Sequence, residues 1–168
     1  MLDQFNFAML ILRLAAGLMI IAHGYNHIWG GGKIKGTAGW FGSMGMKPPL
    51  IQAWLASVTE LGAGAMLCVG LLTPLAAGSL LGIMAVAFWI EHRKRGFFIF
   101  KPGQGWEYVA VIGVVSVVLG TLGAGEWSLD NAFDITLFEE WKGLITVLVV
   151  GLGGSALLLA TSYRPVKK

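Results

Sequence analysis

The side chains able to do chemistry in this chain are few: Arg13, His23, His27, Glu60, Glu91, His92, Glu107 and Tyr108. Two of them are lone charges inside apolar stretches. Arg13 interrupts Phe5–Ala22 and Glu60 interrupts Leu50–Leu72. A charge at bilayer depth costs at least ~2.5–3.5 kcal/mol on insertion scales, so it is rarely left unpaired. Mutual pairing is the simplest expectation. Arg13 lies eight residues in from Phe5, ~12 Å at helical rise, and Glu60 ten residues in from Leu50, ~15 Å. In a ~30 Å core these depths are close enough for a structural ion pair between Arg13 and Glu60. Glu60 is also a candidate catalytic residue, as a group that handles a proton in the membrane.

The other polar residues gather at segment ends. His23 ends the first apolar segment, Glu91 and His92 the third, and Glu107 and Tyr108 begin the fourth. His27 follows His23 by four residues, so the two share a face if the helix runs on through Gly24. Three chemistries fit. The residues can simply satisfy helix ends and one another. His23, His92, Glu107 and Tyr108 can bind a membrane quinone, which needs donors to two carbonyls, a proton route and an apolar slot, with His92 and Glu107 as candidate catalytic residues. Or His23, His27 and His92 can ligate a metal or haem, as weak candidates. A lone HxxxH spacing does not choose between them.

The elements that position these residues are membrane helices. The chain has 168 residues, 56% hydrophobic and 12% charged, with a mean hydropathy of +0.73. A soluble domain of this size carries about twice that charge fraction. Five apolar segments stand out: Phe5–Ala22, Leu50–Leu72, Pro74–Ile90, Trp106–Leu122 and Gly143–Ala160. Each approaches the ~17–25 residues of a spanning helix. Strict two-residue alternation, the mark of a β-barrel, is missing. The N-terminus lacks the basic region of a cleaved signal, so the first helix is read as retained.

Five spans place Lys142 alone on one side. Lys33, Lys35, Lys47, Arg93, Lys94, Arg95, Lys101, Arg164, Lys167 and Lys168 fall on the other. Positive residues stay inside, so the N-terminus is expected out and the C-terminus in. This also explains the pI of 9.2 without nucleic acid. The inner loop holds Gly30-Gly31-Gly32, a break, then Thr37–Met44, expected as a short interfacial helix capped by Thr37. The outer loop, with Glu126, Asp130, Asp134, Glu139 and Glu140, is expected to be solvated. Gly78 and Gly82 form a GxxxG pair that suits close helix packing within the bundle. Gly32-Lys33 is no phosphate loop, because Ile34 stands where Ser or Thr is required, and there is no GxGxxG. One cysteine, Cys68, excludes an internal disulfide or an Fe–S cluster within one chain. No nucleotide or flavin site is expected.

Beyond these physical readings, the chain resembles the DoxX family of small bacterial membrane proteins over about residues 9–130. The resemblance rests on Arg13, the His23-Gly24 exit, Glu60-Leu61-Gly62, the run Gly70-Leu71-Leu72-Thr73-Pro74, His92 before Gly96-Phe97, and Glu107-Tyr108. It closes on Gly123-Ala124-Gly125-Glu126-Trp127-Ser128-Leu129-Asp130, with Ala124 where the family usually has proline. His27 stands where many relatives have lysine. The resemblance implies an all-α transmembrane fold: a four-helix bundle over 1–130, followed over 131–168 by an acidic outer loop, an added fifth transmembrane helix and a short basic cytoplasmic tail. It implies a multi-pass protein of the bacterial cytoplasmic membrane in a redox neighbourhood. The leading functional expectation is an integral membrane subunit of a quinone-linked or oxidative-stress-related redox complex, working with a protein partner and not catalytic alone. The alternatives are a non-catalytic anchor or assembly subunit, docking through the added helix and the GxxxG face, and a small transporter or channel.

Overall fold

The computed structural model describes residues 3–135 and 141–165. Among these the elements are α1 (Asp3–Trp29), α2 (Lys33–Ser43), α3 (Pro49–Val69), α4 (Thr73–His92), α5 (Glu107–Leu122), α6 (Leu129–Ala132) and α7 (Trp141–Ser162). Two of them widen into a π-helical turn, α4 at Phe88–His92 and α7 at Val149–Gly153. Four helices, α1, α3, α4 and α7, are long and apolar enough to cross a membrane. The remaining expected span, α5, is apolar but has 16 residues, about 24 Å of helix against a ~30 Å hydrocarbon core.

Helix α1 runs seven residues past the expected end at Ala22. Nothing in Ala22–Trp29 breaks a helix except Gly24, and Gly24 is used for close approach. A Cβ there would lie 2.9 Å from Ser57 O on α3. Gly17 does the same one level up, where a Cβ would meet Cys68 Sγ at 2.6 Å and Gly64 O at 2.7 Å. Small residues let the two backbones pack tightly, as membrane helices must when lipid gives them no hydrophobic reason to associate.

This contact fixes the register of α1 on α3, and it separates the expected ion pair. Gly17 sits level with Gly64 and Cys68, and Gly24 with Ser57 and Glu60. Glu60 therefore faces the Gly24 end of α1, about ten residues and ~15 Å along the helix from Arg13. Arg13 and Glu60 do not pair. The expectation counted Arg13 in from Phe5 and Glu60 in from Leu50 as opposite edges of one ~30 Å core; α1 runs on to Trp29, so Arg13 lies farther from the Glu60 end than that count implied.

Arg13 instead holds the opposite end of the bundle together. It is fully buried, and its Nη2 donates to Trp127 O at 2.6 Å while Nη1 reaches Leu67 O at 3.5 Å. The α3 terminus makes room through Gly70, which takes a left-handed backbone (φ 66°) and whose missing Cβ would collide with Arg13 Nη1. Asp130 completes the join. Its carboxylate accepts from Leu72 N (2.6 Å) and Thr73 N (2.9 Å), the free donors at the start of α4, and its own N–H donates to Gly70 O at 2.8 Å. The next residue, Pro74, has no N–H to satisfy. Asn6, fully buried, exchanges two hydrogen bonds with Glu126. The loop expected to be outer and solvated is thus not merely solvated: Glu126 and Asp130 are bound into the helix ends. Glu139 and Glu140 lie outside the described residues, as do Lys167 and Lys168 of the expected basic tail.

Helix α7 packs on α4 and α5 through glycines. Cβ atoms at Gly78 and Gly82 would meet Val150 at 2.9 Å and Gly151 O at 3.2 Å, and one at Gly120 would run into the buried Val147. The GxxxG face is occupied by this chain's own last helix. Past α7, Lys47 N donates to Ser162 O and Arg164 N to Gly45 O, both at 2.8 Å, tying the chain end to the α2–α3 turn. Helix α2 starts four residues before the expected Thr37. Thr37 is not its cap: the hydroxyl donates to His27 O at 2.9 Å, closing the α1–α2 corner.

Candidate functional site: a cavity between two polar walls

The helix ends opposite Arg13 enclose a cavity of about 400 Å³, within the size range of small-molecule sites. Its lining is mainly apolar, with Ile20, Leu55, Ile83, Met84, Ile112 and Leu158 among the walls. Into it converge His23 and His27 from α1, Glu60 from α3, Glu91 and His92 from α4, and Tyr108 from α5. The three histidines expected at one membrane level do line one space. His23 lies on an exposed face, whereas His27 and Glu60 are set deeper.

One wall is built around His92. The π turn at Phe88–His92 adds a residue to the last turn of α4 and turns the imidazole inward, where it is 7% exposed. His92 Nδ1 lies 2.9 Å from Gln104 O, and Nε2 lies 2.7 Å from Tyr108 Oη. A carbonyl oxygen only accepts, so Nδ1 carries the proton. In the neutral ring Nε2 is then the acceptor, and Tyr108 O–H donates to it. The rings meet edge to face with centroids 5.2 Å apart. The result is an oriented chain, Tyr108 to His92 to the Gln104 carbonyl, with the phenol oxygen at the cavity.

The α4–α5 connection supplies a polar pocket next to this wall. Arg95 donates through Nε to Glu91 O (3.0 Å) and through Nη1 to Gly103 O (2.9 Å), and its Nη2 pairs with the Glu91 carboxylate. That pocket shares Trp40, Glu91, His92 and Tyr108 with the apolar cavity. The two together form an apolar space with one charged end.

The other wall is the His27–Glu60 pair. Nδ1 of His27 stands 3.0 Å from Oε2 of Glu60, and the Glu60 side chain is 5% exposed. Trp40 and Phe41 of α2 cover the imidazole, the latter edge-on with centroids 5.9 Å apart. The two polar atoms are close but not aligned for a hydrogen bond, and neither has a hydrogen-bond partner among the described residues. This pairing was hidden in the sequence because the first apolar segment ends at Ala22 and leaves His27 beyond it, whereas α1 carries His27 on to face α3.

Glu107 does not join the site. Its Oε2 accepts from Ile99 N at 3.2 Å, bracing the α4–α5 loop, and it does not line the cavity. Nor do His23, His27 and His92 make a metal centre: among the described residues no group of three or more His, Cys, Asp or Glu is placed to hold an ion. Gln104 and Arg95 are additions that no sequence signal marked, because their roles depend on how the Gly96–Trp106 loop folds back on α4.

Comparison with known proteins agrees with the motifs as far as His92; Gly96-Phe97, Glu107-Tyr108 and the Gly123–Asp130 run lie beyond the matched residues. The family model described as DoxX matches residues 8–93, just over half of the chain, and takes in Arg13, His23, His27, Glu60, Glu91 and His92. No curated protein and no solved structure matches the chain. A match over more than half of the chain establishes that the chain belongs to the DoxX family.

Proposed function

We propose that this multi-pass membrane protein binds a membrane quinone in the cavity and serves as the quinone-facing subunit of a redox complex, receiving electrons from a partner protein. The observation that carries the reading is the Tyr108–His92–Gln104 chain at the edge of an apolar space of about 400 Å³. A quinone head needs hydrogen-bond donors and a proton route beside an apolar slot. Tyr108 Oη has lone pairs and a proton shared with His92, and the long aliphatic lining suits an isoprenoid tail. The charged Glu91–Arg95 end suits the headgroup side. We also read the cavity as lying on the cytoplasmic side, because the exposed Lys33, Lys35, Lys47, Arg93, Lys94 and Lys101 surround it.

Titration of the purified protein in nanodiscs with a short-tailed quinone analogue tests this, with quenching of tryptophan fluorescence as the signal. Trp40 lines the cavity and reports directly. Saturable quenching is expected, and His92→Phe should weaken it about tenfold, the equivalent of one good hydrogen bond at ~1.4 kcal/mol. An absence of saturable binding to the unmodified protein removes the reading.

A further inference from the structure

We propose that the α4–α5 loop is a membrane-surface anchor: residues 97–100 sit at the boundary between lipid headgroups and acyl chains, and Arg93, Lys94 and Lys101 hold anionic phospholipid there. Four consecutive apolar side chains, Phe97, Phe98, Ile99 and Phe100, are exposed, Phe100 at 78% and the others at 42–43%. A contiguous exposed apolar run marks a contact surface. The loop that carries it is built, not slack. Gly105 N donates to Phe98 O (3.2 Å), Trp106 N to Gly96 O (3.1 Å) and Glu107 N to Phe97 O (2.9 Å), while Ile99 N donates to Glu107 Oε2. Acyl chains cannot satisfy backbone groups, so an apolar tip with its backbone already paired is suited to the bilayer boundary.

The surface that covers this tip is the bilayer. The rings form an unbroken row from a spanning helix to the tip: Phe88 of α4 to Trp106 (centroids 5.8 Å apart), to Phe97 (4.7 Å), to Phe98 (5.3 Å), to Phe100 (5.2 Å). Helix α5, which starts where the loop ends, has 16 residues and is about 6 Å shorter than a ~30 Å hydrocarbon core. Apolar side chains just before it make up that shortfall. Charge fits the same occupant. Arg95 takes up the Glu91 carboxylate and Ile99 N takes up that of Glu107, whereas among the described residues Arg93, Lys94 and Lys101 pair with no carboxylate. Arg93 lies over the exposed Trp89 ring (4.2 Å) and Lys101 over Phe98 (5.4 Å), so each long stem covers apolar surface and leaves its charge for a lipid phosphate. The anchor also bears on the cavity. Gln104, four residues past Phe100, supplies the carbonyl that orients His92, so the seat of the loop in lipid holds that wall.

Spin-label accessibility in nanodiscs tests this. In a Cys68→Ala background, nitroxides are attached at Phe100→Cys and, as a reference in water, at Asn131→Cys on the exposed turn α6. Oxygen concentrates in lipid, and a nickel chelate stays in water. In nanodiscs of phosphatidylcholine with phosphatidylglycerol, the Phe100 label should collide with oxygen more than with the chelate, and the Asn131 label the reverse. Replacing Arg93, Lys94 and Lys101 together by Gln should make the Phe100 label several-fold more open to the chelate, and so should removal of phosphatidylglycerol. A Phe100 label as open to the chelate as the Asn131 label overturns the anchor and leaves the patch for a protein partner. Protection that ignores both the lipid charge and the three cations overturns the anionic-lipid contact. Phe100 is the most exposed side chain of the run, so its exchange does least to packing, and Ile99→Cys gives a second reading from its neighbour.

Discussion

Arg13 and Glu60 are the two most expensive side chains in the molecule, and the structure gives them separate duties. Arg13 feeds backbone carbonyls at the Trp127 end, and Glu60 stands beside His27 at the other. Separate networks have an energetic signature. Arg13→Ala removes the donor to the Trp127 carbonyl, at a cost of about 1–3 kcal/mol. Combined with Glu60→Gln, the losses should add to within about 0.5 kcal/mol, because sites this far apart share no partners. Thermal or denaturant unfolding in detergent of the two single variants and the double variant measures this. A double variant distinctly milder than the sum would restore a direct coupling between the two charges. The same pair shows what a sequence can carry at this scale. Lone charges in apolar runs announce that each needs a partner. Which partner depends on helix register, set here by Gly17, Gly24 and Gly64, whose packing partners lie on another segment. The level shared by His23, His27 and His92 was legible, because all three lie at or just beyond the ends of long apolar runs. The withdrawal of Glu107 to Ile99 N was not, because it follows from a loop without periodic pattern.

At the scale of elements, the helices are joined at one end by backbone and carboxylate and at the other by side chains around a space. Gly70 shows how narrow the first join is. It needs a left-handed backbone and no Cβ, since Arg13 and Ser128 fill the place a methyl would take. Gly62, eight residues earlier on α3, has nothing within 4 Å of its notional Cβ. Gly70→Ala should therefore lower stability by more than about 1 kcal/mol, from the left-handed backbone alone. Gly62→Ala should be neutral or slightly stabilising, as alanine is the better helix former by about 1 kcal/mol. Comparing melting of the two variants in one detergent checks this, and equal effects would contradict the packing at Gly70. The glycines of α4 make a related point. Gly78 and Gly82 read in the sequence as a close-packing face, and the face is present. Its partner is α7, so an assembly partner cannot dock there without displacing the chain's own helix. An anchor role would have to use another surface. All five expected segments are helical, because their apolar runs are long, and four of them are long enough to cross a membrane; their ends were not legible, since Gly24 serves α1 as a packing contact and not as a stop.

For the molecule as a whole, the division of labour between its ends acquires meaning only with an orientation. The Arg13–Gly70–Asp130 junction is built of hydrogen bonds between side chains and backbone groups at the helix ends. The His27–Glu60 and Tyr108–His92 walls surround space, and most of the basic residues ring that end. A positive charge moves across a membrane reluctantly during insertion, so this end is expected in the cytoplasm. Ser43 on α2 and Asn131 on α6 are exposed at the two opposite ends. In a Cys68→Ala background, Asn131→Cys should react with an impermeant maleimide on intact cells, and Ser43→Cys only after the membrane is opened. The background costs little, since Cys68 is the sole thiol and alanine is the smaller residue beside Gly17. The reverse pattern would turn the cavity outward. A quinone bound there, as proposed, would then exchange protons with the outer compartment, and an electron-donating partner would have to be sought on that side. On the proposed quinone reading, orientation decides which compartment's proton would reach His92 and Tyr108, and with it whether a redox step there would dissipate or build a proton gradient.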